Sequence, residues 1–217
     1  MKKVYVYAFA IASLFTTKIN AQQGFSVNIK GAPQFSFLQN KDDNNASDYD
    51  QRATFNVGFG VGAGYNFTKN IGVGVDALYS LQGQRYTLNN AKYYQKNDYI
   101  KLPVYFSYNS DASKAISFIG KVGPQVSFLT NSKLDDNDGN KVIGDTKNRY
   151  KDVTFGGMAS AGAQYKLQSN LYLTTAVRFD YDVTNAEDDT YAGYTPGRAK
   201  TYNSTVGLEV GVKYMLK

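Results

Sequence analysis

From residue 24 onward the chain alternates apolar residues with small or polar ones at a period of two, in eight separate runs. The runs cover 24–38, 53–67, 71–86, 98–108, 115–129, 153–167, 171–184 and 202–216. In the third, Ile71, Val73, Val75, Ala77, Tyr79 and Leu81 share one parity. Successive side chains of a strand point to opposite faces, so each run predicts a strand with one apolar face. No helical stretch and no domain linker interrupts the series. The connections alternate too: three are short, at 68–70, 109–114 and 168–170, and four are long and rich in Asp and Asn, at 39–52, 87–97, 130–152 and 185–200. Tight turns at one end and long loops at the other describe an all-β, eight-stranded antiparallel up-and-down meander. Pairing the last strand with the first closes it into a barrel without exposed edges.

The second run contains NVGFGVGAGYNF, with Gly58, Gly60, Gly62 and Gly64 at every second place. A nucleotide-binding loop needs G-x-G-x-x-G between a strand and a helix, which this spacing does not provide. The stretch reads instead as a strand with one bare face. A soluble barrel points its apolar face inward and a membrane barrel points it outward. Three features favour outward here, and hence a transmembrane barrel. An eight-stranded barrel is only just wide enough to be filled by side chains, so a lumen holding every Phe, Val and Leu of these runs would be overfull. The opposite parity carries Gly72, Gly74, Ser117, Gly123, Ser160, Gly162, Thr174, Thr205 and Gly207, which suit a narrow interior. Aromatic residues gather at both ends of the apolar parity: Phe25, Tyr65, Phe106 and Tyr108 near the tight turns, and Phe37, Phe55, Tyr79 and Tyr181 near the loops. Two girdles around an aliphatic band match a bilayer. The polar parity is also poor in the Lys and Glu that a soluble exterior needs.

The first residues, MKKVYVYAFAIASLFTTKINAQQ, have a basic start, a short apolar core and a small-residue exit. This predicts a signal peptide over 1–21, an apolar run too short to span a bilayer as helix, and a barrel domain over 22–217. Removing 1–21 takes away Lys2, Lys3 and Lys18 with no acid, lowering the formal charge from +6 to +3. No compact basic block suggests nucleic acid. Cysteine is absent, so neither a disulfide nor a lipid-modified cysteine anchor is expected. Histidine is absent as well, which removes Ser-His-Asp chemistry, His-ligated zinc and the commonest general base. The expectation is a chain that is not an enzyme and carries no cofactor or metal. KLDDNDGNK fails the EF-hand order, because Gly139 as sixth position would put Leu134 first.

DYIKLPVYFSY (98–108), with Pro103 inside a strand, GKVGPQVSF (120–128), ASAGAQYKL (159–167) and the closing GLEVGVKYMLK resemble the PorT-like outer-membrane β-barrel family, built as small barrels of the OmpA/OmpX type. The resemblance spans the chain after residue 21. It implies the barrel fold and the bacterial outer membrane, and for some relatives a role beside a secretion machinery, but no activity.

Several charges fall on the inward parity at similar depth: Lys30, Asp76, Lys101, Lys121, Arg178 and Glu209, with Asp180 and Asp182 above them. Matching the ends of the first and last strands sets Lys30 opposite Glu209, with Arg178 within reach. Buried charges must be paired, so the six form a structural cluster that plugs the lumen, the alternative being a narrow conduit. Loop tyrosines Tyr49, Tyr93, Tyr94, Tyr191 and Tyr194 either present a surface to a protein partner or pack the loops together. The expected role is a monomeric, lipid-embedded barrel with a structural or interaction function in its outer loops. The alternatives are an accessory of a secretion system and a soluble secreted barrel that binds an apolar ligand.

Overall fold

The computed structural model describes residues 23–45, 50–88, 91–111 and 113–216. The predicted signal peptide lies outside them. Eight long strands form one closed antiparallel ring. They are β1 (Gly24–Gln39), β2 (Asp50–Asn66), β3 (Ile71–Leu88), β4 (Ala91–Asn109), β5 (Ile116–Asp136), β7 (Val153–Lys166), β8 (Leu171–Asp182) and β9 (Tyr202–Met215). A short strand β6 (Lys141–Ile143) pairs only with the end of β5, and a one-turn helix α1 (Lys41–Asn45) follows β1. Each long strand pairs with its neighbours in sequence, and β9 pairs with β1 to complete the ring.

The apolar parity faces out. Phe25, Ile29, Phe55, Phe106, Val122 and Val183 are exposed, Phe106 at 65%. This facing rules out a soluble barrel with an apolar interior. Outward aromatics pair across strands near both ends of the ladder: Phe25 with Tyr65 at 4.9 Å between ring centres, and Phe35 with Phe55 at 5.4 Å. The bare face of β2 lines the interior, and its glycines leave space that other side chains use. A Cβ on Gly62 would lie 2.0 Å from Asp76 Oδ1, and one on Gly74 would lie 2.6 Å from the Tyr105 ring.

Three local expectations need correction. The ladder between β3 and β4 continues to Leu88 opposite Ala91, so 87–97 is mostly strand rather than loop. β5 likewise runs to Asp136, seven residues past the end of its apolar run, and β6 returns beside it. Beyond the bilayer an apolar outer face is no longer required, but backbone pairing continues, so alternation marks where the lipid ends and not where the strand ends. The third correction is the closing register. Lys30 stands opposite Gly211, not Glu209, because Val27 pairs with Tyr214 and Phe25 accepts the Leu216 N–H.

Candidate functional site

The lumen is a stack of polar layers. All six inward charges, together with Asp180, belong to one connected network. Lys30 is bonded to Asp76, and its Nζ lies 3.6 Å from Glu209, reached diagonally across the β1–β9 seam. Lys121 Nζ donates to Glu209 Oε1 at 2.9 Å, and Arg178 Nη1 donates to Glu209 Oε2 at 3.2 Å. Arg178 also donates to Asp180 Oδ1 from Nη2 at 2.8 Å and to Gln125 Oε1 at 3.2 Å. Lys101 joins through Asp180, 3.5 Å away, and the Thr205 hydroxyl donates to the same carboxylate at 2.8 Å. Every one of these charges except Lys121 is buried.

The strands place these groups by parity alone. Asp76 lies two places along β3 from Gly74, and the space over that glycine admits Tyr105, whose hydroxyl donates to Asp76 Oδ1 at 3.0 Å. The Tyr105 ring also sits 5.3 Å from Lys121 Nζ and 5.9 Å from Lys30 Nζ, close enough for its negative face to attract both cations. Parity would have found Tyr105, which shares the inward face with Lys101. As an aromatic residue, however, it reads first as girdle. Lys213 shares the inward parity of Glu209 but lies nearer the tight turns than the layer of six charges. It points inward beside the tight-turn mouth and has no ion pair among the described residues.

Nearer the loops, Asp182 accepts from Thr154 Oγ1 at 2.7 Å and from Asn203 Nδ2 at 3.1 Å, and Asn203 also donates to the buried Tyr99 hydroxyl. Higher still, Gln95, Ser132 and the fully buried Thr146 are hydrogen-bonded together, so the segment after β6 reaches into the mouth. Nothing in this stack resembles a nucleophile held against a base. The stack can neutralise, fill and brace.

A second constellation lies in the outer loops, where no spacing in the sequence announces it. Arg198 grips Asp43 with two bonds of 2.7 Å and Glu187 with bonds of 2.8 and 3.1 Å, joining the loop after β8 to α1. These bonds hold its guanidinium charged more firmly than usual. Asp42 accepts the Ala199 N–H at 2.7 Å, and Asn40 donates to Ala199 O and Thr201 Oγ1. The loop after β6 joins the same assembly through a Tyr150–Glu187 bridge. Of the loop tyrosines, Tyr93 and Tyr94 lie on the outer part of β4, Tyr191 and Tyr194 lie in this assembly, and Tyr49 falls outside the described residues.

Residues 20–188 match the model of a family described as outer membrane protein beta-barrel domain. The chain belongs to that family. Solved structures agree on the fold. Neisserial surface protein A is 13% identical with a TM-score of 0.51, the match covering 89% of this chain and 97% of that one. OprG of Pseudomonas aeruginosa is 12% identical with a TM-score of 0.52, over 90% of this chain and 97% of that one. No curated protein matches the sequence. Membership of the family fixes the environment: the exposed apolar belt lies in the outer-membrane bilayer, and the buried charges face the interior of an outer-membrane barrel.

Proposed function

We propose that this protein is a non-enzymatic outer-membrane barrel with a sealed lumen, and that its function is exercised by the outer loops. The observation that carries this reading is the contrast between the barrel's two polar regions. The charges in the middle of the lumen engage one another, while the loops are braced into a fixed shape by Arg198 and its partners. The reading includes export by a signal peptide over 1–21 and a place among PorT-like barrels as a monomer.

The test is photo-crosslinking from the outer loops in intact cells. Crosslinks that place an external or neighbouring surface molecule at residues 185–200 support the reading, provided that replacing those residues abolishes them while the barrel still assembles. Crosslinks found only at the tight-turn side, to a translocation component, would replace it with a secretion role.

A further inference from the structure

The outer loops enclose a recess of about 330 Å3, lined by Arg149, Tyr150, Glu187, Tyr191, Tyr194 and Arg198. That volume falls within the range of small-molecule sites. Its walls are fixed by backbone bonds: Asp188 N–H donates to Arg149 O at 2.9 Å, and Lys151 N–H to Ala186 O at 2.8 Å. The Tyr194 hydroxyl donates to Arg198 O at 3.2 Å, and Tyr194 N–H to Tyr191 O at 2.8 Å. The Tyr191 ring is seated over Gly193, where a Cβ would come within 2.6 Å of it.

The charges in this recess are unevenly matched. Glu187 and Asp43 together satisfy Arg198. Arg149 has no carboxylate partner among the described residues, and its guanidinium instead lies 5.9 Å from the centre of the Tyr191 ring. A free guanidinium offers a planar fork of donors that suits a carboxylate or phosphate. A tyrosine face carries negative charge density that suits the slightly positive C–H face of a pyranose. The Glu187 carboxylate is an acceptor at the same recess for sugar hydroxyls.

We infer that this recess binds an acidic saccharide, a sugar bearing a carboxylate or phosphate, with the anion on Arg149 and the ring against Tyr191. The inference rests on the outer loops being the functional part and specifies what they take. One chemistry has two sources: the phosphorylated core sugars of neighbouring lipopolysaccharide, or an external acidic polysaccharide.

The test uses the full barrel in lipid nanodiscs. Its probes are oligogalacturonate, mannose 6-phosphate and the neutral sugars galactose and mannose, with purified lipopolysaccharide and its dephosphorylated form as a separate arm. At least one acidic probe is expected to bind more tightly than its neutral counterpart. Arg149→Gln is expected to weaken it by roughly tenfold or more, the loss of a charge-assisted contact. Gly193→Val, which pushes Tyr191 aside, should weaken acidic and neutral sugars alike. Preference for phosphorylated over dephosphorylated lipopolysaccharide identifies the lipid source, and preference for oligogalacturonate the external one. Equal binding by the wild type and Arg149→Gln, or no acidic probe bound at millimolar concentration, overturns the inference. If loop crosslinks to a protein persist in that case, the functional reading survives without it. Unchanged heat-modifiable gel mobility of each variant shows that the barrel has assembled.

Discussion

Glu209 meets three cations, Lys30, Lys121 and Arg178, with its two oxygens. Lys30 and Arg178 each keep a second carboxylate when it is removed, whereas Lys121 keeps none among the described residues. Taking one partner out of a buried ion cluster leaves charge without compensation, at a cost of about 3–5 kcal/mol. Glu209→Ala is therefore expected to lower the temperature at which the barrel loses its compact gel mobility, and Lys101→Met to lower it less. Adding Lys121→Met to Glu209→Ala should restore part of the loss, because it removes the orphaned cation. An unchanged transition in Glu209→Ala would show that these residues contribute no stability as a cluster. Much of this was legible in the sequence, since period-two parity assigns each charge to the interior without any coordinates. The pairing was less legible. A displacement of two residues at the β1–β9 seam preserves parity, so the alternation could not reveal that Lys30 faces Gly211 and reaches Glu209 only diagonally.

At the scale of elements, β4 and β5 show why loop and strand are hard to separate outside a membrane. Their outer halves are polar on both faces, yet they pair residue by residue from Asn97–Ser132 to Tyr93–Asp136. Lys96 and Lys133 stand directly opposite each other in this ladder, and like charges so placed destabilise it. Asp135 relieves them, at 2.8 Å from Lys96 and 3.1 Å from Lys133. Burial alone would raise the Asp135 carboxyl, but its bonds to the two lysines outweigh that and hold it below the usual carboxylate range. A depressed carboxyl stabilises above its unfolded-state value, near 3.9, and loses that contribution only as pH falls through the folded value. Protection of the outer β4–β5 amides against hydrogen exchange, corrected for intrinsic rates, should accordingly hold from pH 8 to pH 5 and fall below about pH 4. Asp135→Asn should show weaker protection throughout that range. A loss of protection already at pH 6 would point to some other group. Both lysines are partly exposed, so salt will screen the effect.

For the whole molecule, the decisive question is whether ions cross. Eight strands enclose a lumen that side chains can just fill, and here they leave only a small cavity of about 30 Å3 beside Lys121 and Lys213 on the tight-turn side. Met215 and Tyr172 lie buried toward the tight turns, the charge network occupies the middle, and Asp182, Asn203 and Tyr99 lie above it. Thr146 and Ser132 lie buried and hydrogen-bonded to each other at the outer mouth. A conduit would need charges that are free to exchange a partner for a passing ion. Asp76, Asp180 and Glu209 are each already engaged by two or more donors, and Arg178 bridges all three. An ion entering this layer would have to break several contacts at once. The purified protein reconstituted in a planar bilayer should show no steady conductance in either polarity. Lys101, Lys121 and Lys213 add positive charge to the passage, so any path that did exist would favour anions. Steady anion-selective current from the wild type would overturn the sealed-lumen reading. Transient current confined to Glu209→Ala would support it, by showing that the network itself is the barrier.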